Sequence, residues 1–432
     1  MPLLSMVTFY VTATAVLVFT LPKLIVQTPG QIAGKLLIFV LLIGLVARVA
    51  QFGTPTIIED DYNRYLWDGA VFAIGESPFQ YAPLDVLEST VGSPELRALA
   101  QQGEHVLERV NHPEIRTIYP PVLQAVFALS HILAPFDLDG WRAVLLLFEL
   151  GIAGLILRLL GQLNRSPLWL AFYWWNPLVL KEIANSAHME PVLMLPVLLA
   201  SYLILRARPV WSSACLALGA GVKIWPLLLC SVVWRENLRQ FRILIAVLLA
   251  TGFICLMVFL PVVTSNLDES SGFVAFAQNW KASSAAILVS EWVTGIFVSQ
   301  PDTQATAARL LLGIALLISI ALICYRPTED SHKILHRVFL VVCAIYLLSP
   351  SQTPWYFVWI APFLCIFPVR GLILASVLLP LHYLFFFLVL HDQEQLYRHG
   401  VVWVIWVPVW ALLMFDFLHP RSASLRATDG AM

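Results

Sequence analysis

Apolar runs alternate with short polar segments along most of this chain of 432 residues. A helix needs about 20 mostly apolar residues to cross a bilayer, and many of the runs approach that length. Several runs are shorter and carry Gly or Pro, which favours tilted, broken or cavity-lining helices. The pattern predicts an all-α polytopic membrane protein with a bundle of about 13 transmembrane helices, at residues 4–22, 34–52, 141–160, 167–181, 190–206, 210–222, 224–234, 243–264, 303–325, 334–349, 355–368, 371–390 and 401–418.

The composition agrees with this pattern. Hydrophobic residues make up 59% of the chain and charged residues only 12%, whereas a soluble domain is about a quarter charged. The net charge of −1 gives no reason to expect a nucleic-acid partner. The six cysteines lie in apolar runs without a CxxC pair, which is typical of small buried residues rather than of disulfides or a zinc site.

Lysine and arginine in the short loops predict the orientation, because cytoplasmic loops are enriched in these residues. If the apolar segment 119–135 crossed the membrane, all later basic loops would lie outside. We therefore expect 119–135 to form a helix that lies on the outer face or dips into it. The N-terminus is then outside, and residues 419–432 form a cytoplasmic tail. The basic residues expected inside are Lys23, Lys35, Arg165, Arg206, Arg208, Arg235, Arg239, Arg242, Arg326, Lys333, Arg337, Arg370, Arg421 and Arg426.

We expect a single membrane-embedded domain over residues 1–432. Residues 1–33 contain a first span without a basic leader or a clear cleavage site, which indicates a retained helix. Residues 53–140 form a long outer loop with an acidic run and juxtamembrane helices. Residues 265–302 form a second outer loop, whose aromatic residues indicate an interfacial helix.

The acidic run at residues 59–68 lies just where the chain leaves the bilayer, and acids at a membrane face suggest function. A helix over 60–74 would place Asp61, Arg64, Tyr65 and Asp68 on one face. It would also bring Asp60 within reach of Arg64. One interpretation is an acid-capped interfacial helix with an internal salt bridge. The other is a carboxylate that removes a proton from an attacking hydroxyl, or that holds a divalent cation, Mg²⁺ or Mn²⁺. The candidates are Glu59, Asp60, Asp61, Arg64, Trp67 and Asp68.

A second polar cluster precedes the surface helix. Asn111, His112, Arg116 and Tyr119 lie close together before Pro120 and Pro121. The prolines suit a rigid turn and a helix start, but they do not explain the polar residues. These side chains could bind sugar hydroxyls or phosphate, and the histidine could titrate near neutral pH.

Three further segments on the outer side carry candidates. Lys181, Glu182, His188 and Glu190 follow an Asn-Pro turn, Lys223 lies between two short apolar runs beside glycines, and Gln352, Trp355 and Tyr356 follow a polar turn. Each group also has a structural interpretation: the lysines could extend to the membrane interface, the histidine could be hydrogen-bonded there, and the aromatic residues could lie at headgroup depth. As a functional set, a lysine suits a phosphate and the aromatics suit sugar rings. The spacing around Lys223 excludes a GxxxxGK[ST] nucleotide loop, and we expect no bound metal outside the acidic run.

The order of these motifs resembles the GT-C superfamily of polyprenyl-phosphate-sugar-dependent glycosyltransferases. The motifs are an EDDY run, a YPP helix start, a WNPLVLKE segment with a His-x-acid after it, a VKIWPLLL segment and a late Pro-Trp-Tyr turn. The similarity covers roughly residues 35–420. It is greatest to the mannosyltransferase-like branch, which includes glycosyltransferase family 87 and relatives of the GPI mannosyltransferase. The first span looks like an addition before the usual first helix.

The resemblance implies a multi-pass enzyme of the plasma or inner membrane. Such an enzyme takes a hexose, with mannose favoured, from a polyprenyl phosphate at the outer face and gives it to a hydroxyl of a lipid or glycan. It implies that Asp60 or Asp61 is the base, and that Lys223, and after it Arg64, holds the donor phosphate. Relatives often have His-x-Asp where this chain has His188-Met189-Glu190.

Two other functions stay open at the level of the sequence. A transporter or flippase of lipid-linked glycans would also have broken spans and outer basic residues, although such folds usually show paired repeats and a site near the midplane. A glycan polymerase or ligase is chemically close to the transferase. For the transferase we expect a single displacement at the anomeric carbon with inversion.

Overall fold

The computed structural model describes residues 3–88, 91–328 and 330–419, apart from the side chain of Gln31. Across these residues the regular secondary structure is helical, and an isolated bridge pairs Ala282 with Ser351. The fold is therefore all-α, as predicted. The basic tail residues Arg421 and Arg426 lie outside the described residues.

The α-helices are α1 (Leu3–Gln27), α2 (Gly30–Val49), α3 (Tyr62–Ala73), α4 (Pro83–Leu87), α5 (Pro94–Gln102), α6 (Glu104–Leu107), α7 (Pro121–Leu133), α8 (Leu138–Gln162), α9 (Ala171–Trp174), α10 (Pro177–Val179), α11 (Glu190–Leu205), α12 (Pro209–Ala220), α13 (Cys230–Asn237), α14 (Phe241–Val263), α15 (Gly272–Asn279), α16 (Ala285–Gly295), α17 (Pro301–Ile323), α18 (Ser331–Leu347), α19 (Ala361–Leu364), α20 (Arg370–Leu378), α21 (Leu384–Val389), α22 (Glu394–Leu396) and α23 (Val402–Leu418). The 3₁₀-helices are Pro167–Leu170, Trp225–Leu229, Pro354–Trp359 and Leu379–Tyr383, and the π-helices are Leu180–Asn185 and Tyr397–Val401.

Among the described residues, seven helices are long and apolar enough to cross a membrane. A bent pair, Pro177–Asn185 with Glu190–Leu205, turns by 118° and makes up to eight. This supports a polytopic membrane protein, while the count of about 13 crossings stays a prediction. The seven are α1, Ile32–Val49 of α2, α8, α14, α17, Arg370–Val389 and Glu394–Leu418.

Four of the predicted spans are not single α-helices. Short α-helical, 3₁₀ and π-helical pieces make up residues 167–181, 224–234, 355–368 and 371–390. Pro177, Pro226 and other prolines begin new pieces at their first turn, because proline lacks the N–H that a continuing helix needs. The short, Pro-containing runs are thus broken, as their composition suggests.

The long loop between α2 and α8 is built on a close contact between α3 and α7. A Cβ atom on Gly69 of α3 would lie 2.5 Å from the carbonyl oxygen of Phe127 in α7, so only glycine allows this approach. The 13 residues of α7 span about 20 Å at 1.5 Å per residue, which is too short for a simple crossing. Its length fits the predicted surface helix.

Buried arginines connect the spans near the acidic run. Arg48 of α2 makes a two-fold ion pair with Glu149 of α8, at 2.7 and 2.8 Å, and its guanidinium lies 3.6 Å from the centroid of the Trp174 ring. Arg142 donates to the carbonyl oxygens of Thr54 and Asn185, at 2.8 and 2.7 Å. Through these contacts, the segment that precedes the acidic run is held against the bent helix pair.

Candidate active site

Asp61 lies immediately before α3, with its side chain 28% exposed. The amide nitrogen Nδ2 of Asn111 donates to Asp61 Oδ1 at 2.6 Å and to Asp60 Oδ1 at 3.1 Å. No side chain of the described residues caps α3, so neither Glu59 nor Asp60 acts as the predicted cap. The helix does contain an internal ion pair, but it joins Arg64 to Asp68 at 3.9 Å, and no ion pair to Asp60 is among the described contacts.

His188 lies beside Asp61 although it comes from the bent helix pair. Its Nδ1 is 3.8 Å from Asp61 Oδ2 and 3.4 Å from the hydroxyl of Tyr65. The imidazole is fully buried and stacks on Trp355, with the ring centroids 4.4 Å apart and the planes at 14°. The preceding residue, Ala187, has a φ of +61°, and Trp141 Nε1 donates to its carbonyl oxygen at 2.8 Å. This strained turn aims the imidazole at the acidic run.

A second ionisable group of side chains lies behind His188. Glu182 Oε2 is 3.4 Å from His188 Nε2, and Lys181 Nζ lies 3.4 Å from Glu182 Oε1 and 3.8 Å from Glu59 Oε1. Lys181 also lies 4.2 Å from the centroid of the Tyr383 ring. The Lys181 nitrogen and both Glu182 oxygens have no hydrogen-bond partner among the described residues. Buried charged groups lower the stability of a fold unless they are paired and hydrogen-bonded. A cluster of this kind would therefore be unusual outside a functional site.

Lys223 occupies the break between α12 and the helix Trp225–Leu229. Its Nζ lies 2.8 Å from Glu190 Oε1 and 4.0 Å from the centroid of the Tyr356 ring. The Trp359 ring is 5.1 Å away. A Cβ on Gly221 would lie 2.3 Å from Val122, so glycine brings this break against α7. The ammonium group of Lys223 therefore lies against two aromatic rings, those of Tyr356 and Trp359.

The charges around Asp61 change its acidity. Burial raises the pKa of Asp61 above its ordinary value, the Asn111 hydrogen bond lowers it, the negative charge of Asp60 raises it and the positive charge of Lys223 lowers it. Burial likewise raises the pKa of Glu59 to about 7, although Lys181 opposes this. A carboxylate with a raised pKa is a better proton acceptor once it is ionised.

Two predicted arginines have structural partners. Arg64 NH2 donates to the carbonyl oxygens of His112 and Ile115, at 2.8 and 3.0 Å, and so holds the turn that carries Asn111. Arg116 NH2 donates to the carboxylate of Asp268 at 2.6 Å. Both guanidinium groups have partners within the protein, and their role as phosphate ligands stays a prediction.

The other predicted residues surround the site in different ways. Trp67 is 2% exposed within the core, and Asp68 accepts a hydrogen bond from Gln124 at 3.3 Å. Gln352 donates to the carbonyl oxygens of Tyr346 and Leu347 at 3.0 and 2.9 Å. The side chains of Trp67, Asp68 and Gln352 are all buried, and their role as substrate ligands stays a prediction.

The remaining two lie in the turn before α7. The side chain of His112 is 51% exposed, and its ring lies 4.8 Å from that of Trp280. The ring of Tyr119 packs edge-on against that of Tyr65 at 5.3 Å. Tyr119 is therefore part of the aromatic layer under His188, whereas His112 lies at the surface.

Several residues near the site were not among the predicted ones. Tyr65 lies on the helix face that the spacing predicted for Asp61, but it was not among the candidate ligands. Trp359 lies four residues after Trp355, so helical spacing could have indicated it. Tyr383, beneath Lys181, lies in a distant apolar segment. No local pattern could have indicated that contact.

A divalent cation at the acidic run stays a prediction. Within the part of the chain that the structure describes, no group of three or more His, Cys, Asp or Glu side chains is arranged to hold a metal ion. Asp60 and Asp61 nevertheless direct one oxygen each toward the same Asn111 nitrogen. Two such carboxylates would suit a magnesium ion that keeps several waters.

Comparison with known proteins gives the family. The sequence model described as glycosyltransferase family 87 matches residues 117–350, more than half of the chain. Neither the curated proteins nor the solved structures contain a match. The matched region includes the segments that carry His188 and Lys223, and residues 265–302. The chain therefore belongs to glycosyltransferase family 87, a GT-C type family of polyprenyl-phosphate-sugar glycosyltransferases, and it is a membrane glycosyltransferase.

Proposed function

We propose that this protein transfers a hexose, with mannose favoured, from a polyprenyl-phosphate carrier to a hydroxyl group of a lipid or glycan. The reaction takes place at the extracytoplasmic face of the plasma or inner membrane. The observation that carries the proposal is the convergence of Asp61, His188 and Lys223 from three segments of the chain. Asp61 lies 3.8 Å from His188, and the charge of Lys223 is close enough to lower the pKa of Asp61.

Asp61 acts as the general base in this proposal. Its carboxylate takes the proton of the acceptor hydroxyl as that oxygen forms a bond to the anomeric carbon. The bond between the anomeric carbon and the phosphate oxygen breaks on the opposite side, so the configuration inverts. Asn111, which donates to Asp61 at 2.6 Å, fixes the orientation of the base. Asp60 is the second candidate.

Lys223 stabilises the leaving group. The departing lipid phosphate carries the negative charge that develops in the transition state, and a preformed cation lowers the energy of that charge. Lys223 lies against Tyr356 and Trp359 and is 19% exposed, so it is held in place and still accessible. Since the donor carries its own leaving group, no nucleotide-binding loop is required.

The half-buried ring of Trp355 is the proposed wall for the sugar. One face of Trp355 stacks on His188, which lies beside the base. Aromatic rings suit the apolar faces of sugars and keep their orientation at low entropic cost. His188 and Glu190 complete this wall on the protein side.

Transport of a lipid-linked glycan is the alternative of a different class. Membership of a glycosyltransferase family favours the transferase. The polar residues also gather around one outer loop, whereas transporters place their sites near the midplane between repeats. A glycan polymerase or ligase would use the same base and cation with a larger acceptor.

A panel of radiolabelled polyprenyl-phosphate sugars tests the proposed reaction. Purified protein is incubated with each donor and a lipid extract, and the labelled product is identified by mass spectrometry. We expect transfer from one polyprenyl-phosphate hexose, with mannose first, and loss of the label from the carrier. Transfer only from nucleotide sugars would contradict the proposal.

Reporter fusions test the side of the membrane. A reporter fused near residue 100 should read as outside and one near residue 238 as inside, because basic loops stay in the cytoplasm. The opposite result would place Asp61 on the cytoplasmic side and contradict the proposed location.

A further inference from the structure

Three side chains that are not part of the proposed active site form a buried hydrogen-bonded cluster. Ser283 Oγ lies 2.5 Å from both His382 Nδ1 and the hydroxyl of Tyr397, and the last two atoms are 2.8 Å apart. Each of the three residues is about 5% exposed. They come from the second outer loop, the helix Leu379–Tyr383 and the helix Tyr397–Val401. A serine beside a histidine suggests a nucleophile, but substrate cannot reach a buried hydroxyl.

The backbone of Ser283 is strained. Its φ of +55° lies in the left-handed region, which is unfavourable for a residue other than glycine. Trp406 Nε1 donates to the carbonyl oxygen of Ser283 at 2.6 Å. A strained residue persists only where its surroundings fix it. Here the Ser283 hydroxyl contacts His382 and Tyr397, and the Ser283 carbonyl accepts from Trp406.

This cluster is connected to Trp355 by two routes. Next to Ser283, Ala282 pairs with the turn before Trp355: the backbone N–H of Gln352 donates to the Ala282 carbonyl at 2.8 Å. Ser284 Oγ donates to the carbonyl of Ser349 in the same turn at 2.8 Å. The ring of His382 also lies edge-on to the ring of Trp355, with the centroids 6.1 Å apart.

We propose that Ser283, His382 and Tyr397 form a positioning cluster that fixes Trp355 against His188 and thereby sets the affinity of the enzyme for the donor sugar. The inference rests on the proposed function, in which Trp355 is the sugar wall. The cluster makes no described contact with Asp61 or Lys223. A wall that binds the sugar equally in the ground state and in the transition state changes KM and leaves kcat nearly constant.

Tyr397→Phe and Ser283→Ala test the cluster, and Tyr346→Phe is the matched control. Tyr346 is also fully buried, its hydroxyl has no hydrogen-bond partner among the described residues, and its ring lies 5.9 Å from that of Trp406. We expect the donor KM to rise about tenfold in the first two variants, the size of effect that one or two lost hydrogen bonds produce. Their kcat should stay within about twofold of the wild type, and the control should match the wild type in both constants.

A fluorescence measurement makes the test independent of turnover. In Tyr397→Phe and in Tyr346→Phe, the emission of Trp355 is obtained as the difference between the protein with Trp355 and the same protein with Trp355→Phe. The quenching of this emission by acrylamide is then compared between the two variants. Stronger quenching in Tyr397→Phe than in Tyr346→Phe supports the cluster as the element that fixes Trp355. Equal quenching, or an unchanged donor KM in well-folded Tyr397→Phe, would overturn it. A wild-type protein inactive with every donor would count against the proposed reaction, and the quenching comparison would still decide the positioning.

Discussion

The carboxylate of Asp61 lies 3.8 Å from the imidazole of His188, although the two residues belong to distant segments of the chain. Asn111 donates to the other oxygen of the same carboxylate, and Trp355 stacks on the face of the imidazole. The aspartate is thereby held beside a buried pair of rings. Such fixed geometry is what a general base requires.

The pH dependence of kcat/KM should report Asp61. Since burial raises its pKa, Asp61 stays protonated at pH values where a free aspartate is ionised. Activity should therefore fall on the acid side at a pH above the ordinary aspartate value of about 3.9. The nearby charge of Asp60 also raises the pKa of Asp61, so Asp60→Asn should move this acid limb to lower pH. An acid limb that stays in place or moves upward in Asp60→Asn would show that another group controls it.

Lys223→Met should lower kcat for sugar transfer from the donor. The change removes the cation that lies 2.8 Å from Glu190, and a lost charge contact in the transition state costs about 10²-fold or more in kcat. Steady-state kinetics with the labelled donor measures this, and Lys223→Arg should keep more of the activity.

A second variant separates that role from a purely structural one. Lys223→Met leaves the buried Glu190 without its partner, which alone is destabilising. Glu190→Gln in addition removes the uncompensated charge, so the double variant should regain thermal stability but not transfer. Recovery of wild-type kcat in the double variant would show that Lys223 has no direct part in the reaction.

Arg48→Met should destabilise the fold, although Arg48 makes no described contact with Asp61, His188 or Lys223. The change leaves Glu149, which is 1% exposed, as an unpaired buried charge, at a cost of about 3–5 kcal/mol. Thermal unfolding in detergent should show a clearly lower midpoint. Arg48→Met combined with Glu149→Leu should recover most of it. An unchanged midpoint in the single variant would contradict the buried ion pair.

Chelation tests the divalent cation at the acidic run. If Mg²⁺ or Mn²⁺ binds at Asp60 and Asp61, EDTA should abolish transfer and added metal should restore it, because the ion would neutralise the leaving phosphate. Asp60→Asn should then raise the metal concentration that restores half of the activity. Full activity in EDTA would remove the cation from the mechanism and leave Lys223 as the charge that stabilises the phosphate.

Local patterns predicted the helical class and the acidic helix, because apolar length and helical spacing are properties of a few consecutive turns. Proline positions explain why predicted spans such as 355–368 are divided into short pieces. The directions of the long side chains were not predictable in this way. Arg64 turns to backbone carbonyls near residue 112, and Arg116 reaches Asp268, because their partners are brought close only by tertiary packing. The same holds for Ser283 and His382.

The direct test of the account is single-turnover transfer by Asp61→Asn beside Asp60→Asn, with a purified, labelled polyprenyl-phosphate sugar. Asparagine keeps the size of the side chain but cannot accept the acceptor's proton, and general bases contribute about 10²–10⁴-fold. We predict a rate reduced by that factor in Asp61→Asn, with donor affinity retained, and a much smaller loss in Asp60→Asn. A wild-type rate in correctly inserted Asp61→Asn would contradict Asp61 as the base.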